Sequence, residues 1–227
     1  IVLSQDTQFD INDDVILTSD TPITYEGDIL NGETRTDSQA YTVPSSVPAG
    51  TYFVGATIDS EGSFSEINEF NNSFFSTQSF DLFSDLEVTA VTSTELPGSF
   101  ARGSTIEISN LTITNNADYF LPAGNEFRVQ LRLSKDRIFG NLDDAIIVTE
   151  ITIDEIIGAG ESVSVTGIIA EIPNDTPAGD YFLVVRIDIA SEIPETNETN
   201  NTLFANLAEV TILGTNGTSA GLAEALE

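Results

Sequence analysis

The 227-residue chain contains no cysteine, histidine, methionine or tryptophan. Without cysteine it can form no disulfide framework, thiolate nucleophile or cysteine metal site. Without histidine it lacks the commonest general base and transition-metal ligand, and a Ser-His-Asp triad is excluded. The lack of methionine indicates a segment excised from a longer protein. Any export signal or membrane anchor is therefore expected to lie outside this segment.

Basic residues are also scarce, since 7 Lys and Arg face 37 Asp and Glu, for a formal net charge of −30. Nucleic acids and anionic membrane surfaces recruit Lys and Arg, so neither is an expected partner. No apolar run approaches the roughly 18 residues of a transmembrane helix, so no membrane insertion is expected within the segment. The acidity suits a solvated surface, or one that meets divalent cations.

One long stretch of the sequence occurs twice. Residues 48–72 read PAGTYFVGATIDSEGSFSEINEFNN, and residues 177–201, which lie 129 positions later, read PAGDYFLVVRIDIASEIPETNETNN. A second match joins residues 1–17 to residues 131–147. Self-matches of this length indicate one structural unit that occurs twice. We therefore predict the later part of a first unit at 1–83, a complete second unit at 84–213 and a flexible tail at 214–227.

The first unit is expected to be incomplete, because residues 85–130 have no counterpart in it. It would lack its opening strands and expose a sheet edge, which other chain segments or other molecules tend to cover. Self-association through the first unit is therefore one of the partner predictions.

Alternation of apolar and polar residues predicts strands throughout the chain, clearest in Phe127–Ser134 and Tyr181–Asp188. Turn signals such as Pro97-Gly98 separate these runs. No useful window shows a helical period, apart from a short Ala/Leu/Glu run at 218–227. The pattern predicts an all-β protein of two tandem immunoglobulin-like or fibronectin-like β-sandwich units. The other candidate strands are Thr51–Asp59, Leu86–Val91, Ile106–Thr114, Ile146–Ile153, Val163–Ile169 and Leu203–Leu213.

The loop after each copy of the tyrosine-containing strand is rich in carboxylates and amides. Several oxygen ligands in one loop suit Ca²⁺, which takes six to eight of them. The alternative, which we favour, is a structural turn whose Asn residues hydrogen-bond their own backbone. The carboxylates are Asp59, Glu61, Glu66 and Glu69 in the first copy and Asp188, Glu192, Glu195 and Glu198 in the second, with the amides Asn68, Asn71, Asn72, Asn197, Asn200 and Asn201.

A second acidic loop, Ser134–Asp144, has a counterpart at Ser4–Asp14. Asp136, Asp143 and Asp144 could gather around a cation, although the spacing does not match an EF-hand. The favoured alternative is a polar inter-strand loop with an aromatic plug. The nearby basic residues are predicted to be counter-charges to carboxylates. They are Arg128, Arg132, Lys135 and Arg137.

No catalytic residue and no required cofactor are predicted. Paired carboxylates could serve glycoside hydrolysis, but these acidic residues lie in repeated loops, and enzyme sites are not usually duplicated in tandem. A carbohydrate- or protein-binding module would instead need exposed aromatic residues on one face. The candidates are the adjacent pairs Tyr119 with Phe120 and Phe74 with Phe75, of which one residue each could be exposed.

Several short motifs follow one another along the second unit. They are Asp85-Leu86, Arg102-Gly103-Ser104, Thr114-Asn115-Asn116-Ala117, Leu133-Ser134 with Asp136 and Asp143-Asp144, Pro177-Ala178-Gly179-Asp180-Tyr181, and Asp188 through Asn201. In this combination the chain resembles tandem CARDB domains, the cell-adhesion-related domain found in bacteria. The resemblance covers 85–213 and the later two-thirds of a unit at 1–83. One departure is Ala117, where the family commonly has Gly, so we expect a looser turn or another turn type there.

The resemblance implies an immunoglobulin-like β-sandwich found in large secreted or surface proteins of bacteria and archaea, usually in arrays. It implies a non-enzymatic adhesion or spacer module outside the cell or on its surface, whose partner is a protein or glycan at a cell surface. The alternative is a carbohydrate- or protein-binding accessory module of a secreted enzyme. Calcium would be a stabiliser in either case, and the resemblance assigns no site to it.

Overall fold

The computed structural model describes residues 1–10, 12–17, 27–36, 38–44, 46–122 and 124–214, except the side chains of residues 206–209. None of these described segments forms a helix that could span a membrane. The regular elements in them are strands, and the all-β prediction is confirmed. The predicted tail lies almost entirely outside the described residues.

The chain contacts divide it into two compact units, one that ends at Leu82 and one that begins at Phe83. The strands of the first unit are β1 (Val2–Ser4), β2 (Val15–Ile16), β3 (Gly50–Thr57), β4 (Ser73–Phe75) and β5 (Phe80–Leu82). The strands of the second unit are β6 (Leu86–Thr92), β7 (Gly98–Phe100), β8 (Thr105–Asn115), β9 (Phe127–Ser134), β10 (Ala145–Ile153), β11 (Ser162–Glu171), β12 (Gly179–Arg186) and β13 (Thr202–Ile212).

The second unit is built from two sheets that share one core. A five-stranded sheet has the order β10–β9–β12–β13–β7, and a three-stranded sheet has the order β11–β8–β6. Alternation decides which side chains enter the core, because successive residues of a strand point to opposite faces. Four apolar residues of β9 and the aligned residues of β12 are thus fully buried between the sheets. This two-sheet core is the β-sandwich that the sequence predicts.

The first unit has one sheet in its described residues. The strands follow the order β2–β1–β3–β4, and β5 also pairs with β3. The central strand β3 is the counterpart of β12 in the second unit, and Tyr52 is buried there as Tyr181 is in β12. No counterpart of the three-stranded sheet occurs among the described residues of this unit.

The turn after β8 shows why glycine is not needed at Ala117. The fully buried Asn115 accepts hydrogen bonds at Oδ1 from the N–H groups of Asp85 (2.9 Å) and Ala117 (3.2 Å). Its Nδ2 donates to the carbonyl oxygens of Tyr119 (2.7 Å) and Ile157 (3.1 Å). One side chain therefore closes the turn in place of backbone bonds, and Ala117 keeps a negative φ.

Candidate metal centre

The structure brings together three carboxylates from each of the two acidic turns. Asp188, Glu195 and Glu198 form one group, and Asp59, Glu66 and Glu69 form the other. Within each group, carboxylate oxygens lie within 4.8 Å of one another. Six of the predicted calcium candidates thus converge in two equivalent places, and these are the two such groups in the described part of the chain.

The aspartate in each group shapes the turn through its own side chain. Asp188 has a left-handed backbone with a φ of 45°, and Asp59 has a φ of 48°. Asp tolerates this region better than most residues. The Asp188 carboxylate accepts the N–H groups of Glu192 (2.7 Å) and Ile193 (3.2 Å). The Asp59 carboxylate accepts the N–H groups four and five residues later in the same way, at 2.7 and 2.9 Å.

The glutamates and the last Asn repeat a second set of hydrogen bonds. The Glu195 N–H donates to Oε1 of Glu198 (3.1 Å), and Nδ2 of Asn201 donates to Oε1 of Glu195 (3.1 Å). The equivalent bonds in the first unit measure 2.8 Å and 2.6 Å. These bonds close the turn from within and hold the three carboxylates in the same arrangement in both units.

The two groups differ in their surroundings, because the second one contacts the start of β6. The N–H of Leu86 donates to Oε2 of Glu195. The N–H of Thr196 donates to the carbonyl oxygen of Ser84 (3.0 Å). Glu195 is therefore half-buried, whereas Glu66, its counterpart, is exposed. This contact spans more than a hundred residues, and no local pattern in the sequence indicates it.

Burial changes the acidity of the second group. It raises the pKa of Glu195 to about 8 and the pKa of Asp188 to about 6. Burial disfavours the ionised form of a carboxyl group, and neighbouring carboxylates add to the effect. A divalent cation is the ligand that would relieve this concentration of negative charge.

A buried amide oxygen in the same group has no partner. Asn201 is 4% exposed, and its Oδ1 accepts no hydrogen bond, while its Nδ2 donates to Glu195. An unpaired buried carbonyl oxygen is costly, and in native proteins it usually has a donor, a water or an ion beside it. The group therefore combines three carboxylates with an unpaired amide oxygen, which is the donor set of a hard cation.

The pKa of Glu195 predicts how the stability of the second unit changes with pH. Its pKa is higher in the folded state than the ordinary 4.5, so the folded state holds this proton more tightly. Stability is then greatest below pH 4.5 and falls as the pH rises to about 8. Each pKa unit corresponds to about 1.4 kcal/mol, but partial solvent exposure reduces the effect to about 2 kcal/mol in all.

Urea unfolding of the second unit at a series of pH values in a metal-free buffer would measure this slope. The matched control is the Glu195→Gln variant, which cannot titrate at this position and should show a flatter profile. Equal slopes in the two proteins would contradict the assignment of the titration to Glu195.

Two predicted candidates of these turns, Glu192 and Glu61, lie outside the groups. Glu192 forms an ion pair with Arg128, which contacts the exposed Glu150 as well (3.5 Å). Glu61 is exposed and is not a member of the first group. Of the four candidate carboxylates in each turn, three therefore converge in the structure.

The other acidic loop uses its carboxylates for local bonds. Asp136 accepts the N–H of Ile138 (2.9 Å). Asp144 accepts the N–H of Gly140 (2.6 Å) and faces Arg132 at 3.6 Å. The predicted candidates Asp136, Asp143 and Asp144 are not among the convergent carboxylate groups of the described residues.

The basic residues contact aromatic rings as well as carboxylates. Arg132 and Arg186 lie over the ring of Phe139, at 4.6 and 5.2 Å from its centroid. Lys135 lies over Tyr181, and Arg137 lies over Phe182. Cations are attracted to the faces of aromatic rings. The predicted role as counter-charges therefore describes Arg128 and Arg132, and ring contacts are the feature that the sequence did not reveal.

The candidate pair Tyr119 and Phe120 has one buried member. Tyr119 is buried at 6% exposure, and its ring centroid lies 4.5 Å from that of Phe120. Phe120 is half-buried, so it is the residue of this pair that reaches the surface. Phe74, the other candidate, is exposed on the first unit.

Several solved structures resemble this chain in fold. No protein-family model matches this chain, and no curated protein matches its sequence. Among solved structures, the CARDB domain of the PF1109 protein from Pyrococcus furiosus, in complex with di-metal ions, is 17% identical, with a TM-score of 0.39 over 58% of this chain and 94% of that one. A domain of a provisionally named cell surface protein from Methanosarcina acetivorans is 23% identical, with a TM-score of 0.38 over 58% and 93%. CARDB domains are thus among the solved structures to which this chain is similar.

The sequence motifs resemble the same kind of domain. A beta-glucosidase from Listeria innocua, in complex with gluconolactone, is 14% identical, with a TM-score of 0.30 over 70% of this chain and 21% of that one. All these likenesses concern the fold alone, and the ligands of those proteins belong to them.

Proposed function

We propose that this chain is a CARDB-like structural module of a secreted or cell-surface protein, acting as a spacer or adhesion repeat whose acidic turns bind calcium. The observation that carries the proposal is the recurrence of three convergent carboxylates at equivalent positions of both units. Three carboxylates gathered within 4.8 Å of one another repel each other unless a cation lies between them, and the chain gathers them twice. A repeated cation site is typical of modules that must stay folded and stiff outside the cell.

Calcium fits the donor set better than other common metals. Zinc prefers histidine and cysteine, and the chain has neither. Magnesium demands a small octahedral site and keeps several waters. Calcium accepts carboxylate and amide oxygens in flexible geometry. In the second unit these would be Asp188, Glu195 and Glu198, with Oδ1 of Asn201 as a further oxygen within the same turn.

The spacer role is supported by the charge and the fold. A net charge of −30 keeps neighbouring molecules apart in solution. The second unit buries one continuous core between two sheets, so it can carry load as a rigid block. The described residues offer no basic surface suited to nucleic acid, since arginines of β9 and β12 pair with carboxylates or cover aromatic rings.

Thermal unfolding with calcium and with a chelator tests the proposal. Calcium at about 100 times its dissociation constant should stabilise a unit by about 2.7 kcal/mol. That corresponds to a rise in Tm of roughly 5–10 °C. Sites in extracellular modules have dissociation constants of about 0.1–1 mM. A calcium concentration of about 10 mM is roughly 10–100 times these values and should stabilise a unit by about 1.4–2.7 kcal/mol.

Magnesium at the same concentration controls for general screening of the negative charge, which any divalent salt provides. An equal rise in Tm with magnesium, or no rise with calcium, would count against calcium binding. Neither result would affect the all-β fold, which stands on the strands themselves.

A further inference from the structure

The acidic turn of the second unit ends in two asparagines whose amide oxygens are both unpaired. Oδ1 of Asn200 and Oδ1 of Asn201 are buried atoms, and neither accepts a hydrogen bond. Nδ2 of Asn200 donates to Oδ1 of Asp85 at 2.8 Å. Nδ2 of Asn201 donates to Oε1 of Glu195 at 3.1 Å. Asn201 belongs to the candidate metal centre, and Asn200 and Asp85 are the residues beside it.

The Asp85 carboxylate determines how the Asn200 amide is turned. An ionised carboxylate only accepts hydrogen bonds, whereas a side-chain amide has a donating nitrogen and an accepting oxygen. Asn200 must therefore direct its nitrogen toward Asp85, because the reverse orientation would bring two acceptor oxygens together. The buried Oδ1 of Asn200 is thus directed away from Asp85, and it meets no donor in the described part of the chain.

Both amides lie near the same carboxylate of the candidate metal centre. Asn201 contacts Oε1 of Glu195 directly. Asn200 contacts Asp85, and the N–H of the next residue, Leu86, donates to Oε2 of Glu195. One amide therefore bonds to Glu195 itself, and the other bonds to the neighbour of a residue that does. Glu195 is in turn one of the three convergent carboxylates, so the unpaired amide oxygens belong to the surroundings of that group.

We propose that Asn200 is a further ligand of the cation in the second unit, and that Asp85 is the positioning residue that holds its amide oxygen toward the ion. This inference rests on the proposed calcium binding and adds two residues to it. A buried amide oxygen is normally satisfied by a donor, a water or an ion, and Ca²⁺ takes amide oxygens beside carboxylates. Three carboxylates and two amide oxygens approach the six to eight oxygens that Ca²⁺ takes.

Asp85 is held by its own backbone, so its carboxylate has a fixed position. The Asp85 N–H donates to Oδ1 of the buried Asn115 (2.9 Å), and its carbonyl oxygen accepts the N–H of Asn116 (2.7 Å). Both bonds come from the turn after β8, which lies outside the acidic turn. A support anchored in this way orients a ligand before the ion arrives, and removal of such a support typically weakens metal binding about 10–100-fold.

The first unit of the same chain offers the matched control. Its three carboxylates converge in the same way, and its last asparagine, Asn72, donates to Glu66 at 2.6 Å. Asn71, the counterpart of Asn200, is exposed, so water can satisfy its amide oxygen. Asn71→Ala should therefore leave the calcium affinity of the first unit nearly unchanged, whereas the equivalent change in the second unit removes a ligand.

Calcium titration of the whole chain, followed by two-dimensional NMR, tests the proposal, because the amide signals of each turn report its own site. Asn200→Ala and Asp85→Ala should each raise the calcium dissociation constant of the second unit about tenfold. Asp85→Asn should keep most of the affinity, since its Oδ1 still accepts the bond from Asn200. Asn and Ala both remove the charge of Asp85, so the difference between them isolates the hydrogen bond. In the Asn200→Ala background, Asp85→Ala should add little further loss.

An Asn200→Ala variant with the calcium affinity of the parent would overturn the proposal. Equal losses in Asp85→Asn and Asp85→Ala would remove the positioning role of Asp85. Both results leave calcium binding itself intact, so they differ from a failure of the proposed function, in which the signals of neither turn respond to calcium and both proposals fall. Spectra in chelator show whether each variant keeps its fold. If Asp85→Ala does not fold, the affinities of Asn200→Ala and Asp85→Asn decide.

Discussion

Replacing Asn115 with alanine should lower the free energy of unfolding of the second unit by about 3–4 kcal/mol. The Asn115 side chain makes four hydrogen bonds from a fully buried position. Alanine would leave the N–H groups of Asp85 and Ala117 and the carbonyl oxygen of Tyr119 without this partner, whereas the carbonyl oxygen of Ile157 keeps the N–H of Leu121 (2.8 Å). Each unpaired buried group costs about 1 kcal/mol or more. The loss corresponds to a fall in Tm of roughly 10 °C.

Asn116→Ala is the matched control for this change. Asn116 is the adjacent residue, but its side chain is exposed and makes one bond, to Glu87 (2.6 Å). Its loss should cost less than about 1 kcal/mol. Urea unfolding followed by circular dichroism would compare the two variants. If Asn115→Ala is as mild as Asn116→Ala, the four bonds do not hold the turn in the way described.

Glu195→Gln should change the second unit in opposite directions depending on calcium. In chelator at about pH 8 the variant should be more stable than the parent by about 1–2 kcal/mol, because a neutral amide avoids the cost of a buried negative charge. With calcium the order should reverse, because the variant loses a charged ligand. Differential scanning calorimetry in the two buffers measures both effects on one protein.

Glu66→Gln separates the role of the carboxylate from the role of its burial. Glu66 occupies the same position in the first unit, but it is exposed and lacks the bond from Leu86. The substitution should weaken the calcium response of the first unit and leave its stability in chelator nearly unchanged. A Glu195→Gln variant that keeps its full calcium response would remove Glu195 from the site. If it is also no more stable in chelator, the burial argument fails as well.

Strand patterns in the sequence predict most of this fold. β3, β6 and β8 to β13 lie close to their predicted bounds, because alternation over seven or more residues is a strong signal. The strands that the pattern does not reveal, such as β4 and β7, have three residues or fewer. A period cannot be seen in so short a run. These strands form because longer neighbours offer them a ladder, which is a tertiary effect.

The acidic turns could be found from the sequence, but their inner arrangement could not. The repeat marks Asp188 through Asn201 and its earlier copy as equivalent. It does not show that Glu192 forms an ion pair with Arg128. Nor does it show that Glu195 is covered by the start of β6, since that contact joins distant parts of the chain. Side-chain direction and long-range burial decide which carboxylates meet, and neither has a local sequence pattern.

The contact between the acidic turn and the start of β6 also determines how the second unit would respond to mechanical force. Ser84 and Glu195 form a parallel β-bridge. Nδ2 of Asn200 donates a hydrogen bond to Oδ1 of Asp85 (2.8 Å). A pull applied to the chain before Ser84 would load these bonds together before it reached the β6–β8 ladder. The contacts between this turn and the start of β6 would therefore be the first to resist a force from the N-terminal side. A cation bound by Glu195 would strengthen that resistance.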